Sequence, residues 1–372
     1  MTTGNSITLL HNGDEIFPAM LQAITSAQRR VDFCTYVYWK SAIANKFASA
    51  LAERAKSGVA VHLVVDAIGG ATMDTRTLTR LERAGVQVAW FRPLTVKHLL
   101  QANHRTHRKI LVVDGVIGFT GGVGIAEEWT GRAHSPHHWR ETHSRLTGPV
   151  CQELTAAFCD NWLVATGRKL LPLEQTPSDQ PLPTPGTYRD VSITAIASRG
   201  GQRPAVLETE FLRAFARARH NINLTTAYFV PNEKITQALI QAARRGVLVR
   251  IITNGPRTNH RFTRWCSRSL YAPLLDAGIK IFEYSPTVLH SKTLTIDGQW
   301  SHIGSANVDD RSLLLNDEFD ISIEHADLSA ELDAAFADDL SHCVTIASQT
   351  WIQRSWLYRT LERSAWLLRT QV

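Results

Sequence analysis

Two stretches decide how this chain reads: HRKILVVD at residues 107–114 and HSKTLTID at 290–297. Both follow His-x-Lys, four residues, then Asp, which places His107, Lys109 and Asp114 in one copy and His290, Lys292 and Asp297 in the other. With 15 His and 9 Lys in 372 residues, one such match arises by chance about 0.02 times per sequence, and two at matched points of a repeat far less often. The lysines carry extra weight because the chain prefers arginine, 31 to 9. In ILVVD and LTID residues alternate as in a strand, and residues two apart share a face. Each copy therefore presents an imidazole beside an ammonium.

Around these stretches the chain is written twice. RRVDFCTYVYW (29–39), SGVAVHLVVDAIG (57–69) and RAGVQVAWFRP (83–93) have counterparts in HNINLTTAYFVP (220–231), RRGVLVRIITNGP (244–256) and DAGIKIFEYSP (276–286). Between them lie amphipathic segments such as KFASALAERAK (46–56) and KITQALIQAARR (234–245), apolar at helical spacing. Apolar strands alternating with such helices predict an α/β fold of two similar halves, each a mainly parallel sheet flanked by helices, with a shared site at their junction. The expected division is 1–170 for the first half, a proline-rich linker at 171–188, 189–350 for the second half, and a Trp/Arg-rich helix at 351–372.

Composition narrows the field. At 44% hydrophobic and 20% charged the chain is globular, neither disordered nor fibrous. It has no apolar run of spanning length and no basic leader with an apolar core, so no membrane span or signal peptide is expected. Five scattered cysteines without a CxxC pair fit reduced thiols in a cytosolic compartment. The net charge of +6 favours polyanions, nucleic acid or an anionic membrane alike.

The paired motifs suit phosphoryl chemistry. Two lysines can neutralise phosphoryl oxygens as charge builds, and two imidazoles can work on opposite sides of one phosphorus, one attacking and one protonating the leaving oxygen. No metal or other cofactor is needed for this. An acid follows each motif, Glu141 in WRETHSRL and Glu318 in NDEFDISI. A carboxylate on the remote nitrogen of each imidazole would fix its tautomer and raise its basicity. HSPHHWRETH (134–143) offers His134, His137, His138 and His143 without a cysteine or a zinc-binding helix, and reads as a surface loop.

The duplicated motif resembles the signature of the phospholipase D superfamily, and the longer stretches NHRTHRKILVVDGVIGFTGGVGIAEEW (103–129), WRETHSRLTGP (139–149) and LHSKTLTIDGQWSHIGSANVDDRSLLLNDEFDISI (289–323) are most similar to bacterial cardiolipin synthases. The resemblance implies a phosphatidyltransferase working through a phosphohistidine, with His107 as nucleophile and His290 as acid/base, although the near-symmetry allows the reverse. It implies that Lys109, Lys292 and Asn307 hold the phosphate, and that Asp114 and Asp297, counted among the catalytic set, brace the motifs. A phospholipase or nuclease that resolves the intermediate with water stays open, as does a non-enzymatic binding module. The implied partners are a phospholipid and an anionic membrane surface, met peripherally at the inner face of the cell membrane from the cytoplasm. Nucleic acid is not expected, since no strip of basic and aromatic residues is evident.

One departure stands out. The family asparagine seventeen residues after the histidine is kept as Asn307, but Gly124 takes its place in the first half. Asn103, His104 and Arg105 are the neighbouring donors that could compensate. The tail WIQRSWLYRTLERSAWLLRTQV (351–372) suits a lipid interface or a helix packed on the body.

Overall fold

The computed structural model describes residues 1–93, 103–173 and 184–355, with 360, 362, 364 and 365 beyond. The first half runs β1 (Thr2–His11), α1 (Asn12–Ser26), β2 (Arg30–Thr35), α2 (Ala42–Lys56), β3 (Ala60–Asp66), α3 (Thr75–Arg83), β4 (Gln87–Phe91), β5 (Ile110–Val113), β6 (Ile117–Gly121), β7 (Thr142–Thr147) and α4 (Val150–Thr166). The second runs β8 (Thr187–Ala197), α5 (Val206–Arg217), β9 (Asn221–Thr225), β10 (Phe229–Val230), α6 (Glu233–Arg244), β11 (Leu248–Asn254), α7 (Arg261–Ser269), α8 (Tyr271–Asp276), β12 (Lys280–Tyr284), β13 (Thr293–Ile296), β14 (Trp300–Gly304), β15 (Val308–Asp309), β16 (Phe319–Glu324), α9 (Ala326–Ser341), β17 (Cys343–Ile346) and α10 (Ser348–Ile352).

Among the described residues fifteen strands form one continuous sheet, ordered β17-β12-β11-β9-β13-β14-β16-β8-β1-β7-β6-β5-β2-β3-β4. The order reads alike outward from its middle, where β1 and β8 pair antiparallel and fuse the two halves. The α/β class and the repeat are as the sequence predicts, but parallel pairing is narrower. Within this sheet only β2–β3–β4 and β9–β11–β12 are parallel, and β10 and β15 form a separate short parallel pair. Its other pairs are antiparallel, among them β5–β6 and β13–β14, where DG turns fold the motif strands into tight hairpins. Asp114 and Asp297 have φ of 51° and 54°, followed by Gly115 at 74° and Gly298 at 63°, a positive-φ pair that Asp-Gly adopts readily in a tight hairpin turn. The second half's first strand also starts at Thr187, within the stretch read as linker, whose residues 174–183 lie outside the described set.

Apolar residues pack on both faces of the sheet. Phe33, Phe47, Leu63 and Phe119 bury α1 and α2 on the first half, and Phe211, Leu239 and Ile251 bury α5 and α6 on the second. On the opposite face one cluster joins Phe158 and Trp162 of α4 to Phe319 and Ile321 of β16. That shared core fixes the halves against each other, which is what holds a site between them. Arg108, fully buried, bolts the same joint by donating to the carbonyls of Ala157, Ser198 and Glu318 and to Asn161 Oδ1.

Candidate active site

The motif strands β5 and β13 begin at Ile110 and Thr293, so His107, Lys109, His290 and Lys292 lie on the extended segments leading into them. Each segment is gripped by the other half. His107 N donates to the Asp317 carbonyl at 2.8 Å, and His290 N donates to the Arg140 carbonyl at 2.7 Å. The residues that follow, Glu318 and Glu141, then turn their carboxylates onto the imidazoles of the opposite half. His107 Nδ1 lies 3.0 and 2.9 Å from the two oxygens of Glu318, and His290 Nδ1 lies 2.7 Å from Glu141 Oε2. Each carboxylate thus follows one motif in sequence and serves the other in space. Held at Nδ1, both rings keep Nε2 as the reactive atom.

Two residues of the strand ends complete the grip. Asp66, at the end of β3, accepts from Thr106 N at 3.1 Å, and Asn254, at the end of β11, accepts from Leu289 N at 2.8 Å. Both therefore anchor the residue just before a motif histidine. Sequence reasoning missed them, although a polar residue closing an apolar parallel strand, as in VVD and ITN, is a site signal in open α/β sheets.

Between the histidines lies a cavity of about 270 Å³ lined by His107, Lys109, His290 and Asn307, with Tyr36, Trp129, Trp139, Tyr228 and Asp309 around them. Both Glu141 and Glu318 are fully buried, and their environments differ. Burial pushes Glu141 up to about 7 despite Lys292 nearby. Burial also opposes the Glu318 carboxylate, but His107, Lys109 and the Ser305 hydroxyl at 2.6 Å together hold it down at about 2. Burial lowers His107 to about 4 and takes His290 well below its usual value, so both rings are neutral at rest. Lys109 and Lys292 fall to about 7 and about 8, again because burial disfavours the ammonium.

The structure does not place every predicted residue in the cavity. Asp114 and Asp297 sit at the far ends of the strands, where their carboxylates accept from the backbone N–H groups of residues 28–30 and 219–221. They are turn and brace residues, away from the reacting centre, which corrects their place in a catalytic set. Lys292 stands behind His290, its Nζ 3.2 Å from Nδ1 and bonded to the His290 carbonyl. His143 is no loop residue: it is buried on β7, and burial takes it down to about 3. Among the described residues no three His, Cys, Asp or Glu come close enough to share a metal ion.

Nor does Arg105 replace the missing amide. Arg105 spends its guanidinium on Asp66 and on the carbonyls of Phe91 and Arg92. The place that Gly124 leaves open is filled from elsewhere, by the indole of Trp129. In the tail Trp351, Glu362 and Ala365 are buried against the body, Glu362 receiving Arg268 at 3.0 Å. Trp356, Trp366 and most of the predicted helix fall outside the described residues.

Residues 20–161 and 211–340 match the family described as "Cardiolipin synthase, PLD-like domain". The chain belongs to this phospholipase D-like family. It is 34% identical over 361 residues to a cardiolipin synthase of Geobacillus sp. (strain WCH70), covering 97% of this chain and 71% of that one. It is 31% identical over 367 residues to a probable cardiolipin synthase of Bacillus subtilis, covering 98% and 72%. In fold it is similar to the phosphatidylserine synthase of Haemophilus influenzae Rd KW20, with TM-score 0.74, 12% identity and 98% and 95% of the two chains covered.

Proposed function

We propose that this protein is a phosphatidyltransferase of the cardiolipin synthase type, moving a phosphatidyl group onto an alcohol through a phosphohistidine. The observation that carries this is the crossed arrangement of two His–Glu pairs around one cavity. His107 acts as nucleophile. Its Nδ1–H donates to a carboxylate that stays ionised, leaving Nε2 the more basic and nucleophilic of the two. Nε2 attacks phosphorus, a P–N bond forms, and the P–O bond to the departing alcohol breaks as His290 gives that oxygen a proton. The anionic diester supplies the charge that favours a protonated His290 in an otherwise cationic setting. In the second step the incoming alcohol returns its proton to His290, attacks phosphorus and expels His107. Lys109 and the Asn307 amide stabilise the phosphoryl oxygens, with Lys292 adding field from behind His290.

The membrane is met peripherally. Among the described residues no helix is long and apolar enough to cross it, and the net charge of +6 is attracted to an anionic surface, by about 1 kcal/mol for each Lys or Arg close to it. Incubation with phosphatidylglycerol vesicles and mass spectrometry of the lipids tests both parts. Cardiolipin should accumulate, and vesicle-bound protein should decrease at high salt. Phosphatidic acid as sole product would make the enzyme a hydrolase, and protein absent from pelleted vesicles at low salt would remove the membrane partner.

A further inference from the structure

The halves repeat closely enough to be compared position by position, and the comparison exposes an exchange. The spacing that takes His107 to His290 also takes Gly122 to Ser305, Gly124 to Asn307 and Trp129 to Ser312, and that from Glu141 to Glu318 takes Trp139 to Asn316. Gly124, Trp129 and Trp139 line the cavity from the first half, and Asn307, Ser312 and Asn316 line it from the second. One wall is therefore aromatic and its symmetry mate carries amides and a hydroxyl.

The exchange is compensated within each half. In the second, Asn307 and Ser312 bond directly, the Asn307 N–H donating to the serine oxygen at 3.0 Å. In the first, a Cβ on Gly124 would lie 2.9 Å from Val37 Cβ and 3.1 Å from two atoms of the Trp129 ring, so no asparagine fits while the indole is there. The carboxylates show the same substitution. Glu318 receives the Ser305 hydroxyl, whereas Gly122 has none to give and Glu141 is met by Trp129 Nε1 at 3.3 Å. The Trp129 ring also stands edge-on to His290, centroids 5.1 Å apart, and 4.3 Å from that of Trp139.

We propose that Trp129 is a positioning and specificity-determining residue that makes the two sides of the site unequal. Its N–H substitutes for a serine hydroxyl in orienting Glu141 and hence His290. Its ring occupies the volume of the absent amide, so phosphate is gripped by an amide from the second half alone. The acylated glycerol of a lipid donor lies along the Trp129–Trp139 wall, while Asn307 and Ser312 face the phosphate. The assignment of substrate ends rests on the function proposed above; the Gly124–Trp129 exchange does not.

A double-mutant cycle tests it, using Gly124→Asn, Trp129→Ser and both together, which installs the second-half pair in the first half. Gly124→Asn alone should lower the melting temperature by several degrees, and adding Trp129→Ser should recover part of that loss. Simple additivity would overturn the exchange. With short-chain diacyl phosphatidylglycerol and its deacylated counterpart, Trp129→Ser should reduce kcat/KM at least tenfold more for the diacyl substrate. Equal losses would overturn the specificity role. Trp129→Phe, which keeps a ring but loses the N–H, should move the acidic limb of the pH–rate profile to higher pH, because Glu141 loses a donor to its ionised form. An unmoved limb would overturn the positioning role. Wild-type protein inert towards both substrates would defeat the functional reading, while the melting cycle would still decide the exchange.

Discussion

At the scale of single residues the site sets neutral imidazoles beside lysines poised to lose their charge. Lys109, 4% exposed and lowered by burial to about 7, is cationic below that pH and neutral above it. Lys292 follows at about 8. Both phosphate-stabilising charges are thus lost as pH rises, and kcat/KM, which reports the free enzyme, should fall between about pH 7 and 8 and beyond. A rate profile on monomeric short-chain substrate checks this, and constant kcat/KM up to pH 10 would mean the lysines stay charged or do not contribute. The same residues show what the sequence made legible. His-x-Lys repeated at matched places located four of the central side chains, since a strand's two-residue period needs only local sequence. Asp114 and Asp297 share the motif yet serve the turn, because an Asp before Gly in a tight hairpin turn is held by backbone geometry.

At the scale of elements the segments before β5 and β13 do the positioning. Each is pinned by Asp66 or Asn254 from its own half and by the backbone of the opposite half. Between His107 and Lys109, Arg108 points to the other face and makes four hydrogen bonds that join α4 to the second half. Replacing it with Met would keep much of the volume and take a donor from four buried acceptors, two of which, the Ser198 carbonyl and Asn161 Oδ1, would be stranded. Arg108→Met should therefore cost ~3 kcal/mol or more of stability, at 1–3 kcal/mol per unsatisfied group and allowing for relaxation. Thermal melting followed by circular dichroism measures it, and an unchanged melting temperature would show that the clamp is dispensable. None of this was readable from local pattern: an arginine between two site residues on a strand-like run looks solvent-facing until the second half covers it. The mainly parallel sheet was misjudged for a related reason. Apolar strands buried on both faces read as parallel, but here helices cover both faces of antiparallel strands as well.

At the scale of the molecule, the antiparallel β1–β8 pair places two copies of one design about a pseudo-twofold axis, and that alone decides which Glu meets which His. The partners are 211 and 149 residues apart in sequence, beyond any local signal. Neither half contains a complete pair, so chemistry depends on the whole sheet. The halves have since diverged, with amides on one wall, tryptophans on the other, and one carboxylate far more readily ionised than its counterpart. Symmetric position and unequal environment are what a division into nucleophile and acid requires.

The most direct test is a burst measurement with a phosphatidyl ester of p-nitrophenol, whose leaving group departs without a proton. His290→Ala should release close to one equivalent of p-nitrophenolate and then stall, with the phosphatidyl group recovered by peptide mass spectrometry on His107. His107→Ala should give no burst. A burst from His107→Ala with the adduct on His290, or no adduct in either variant, would contradict the account.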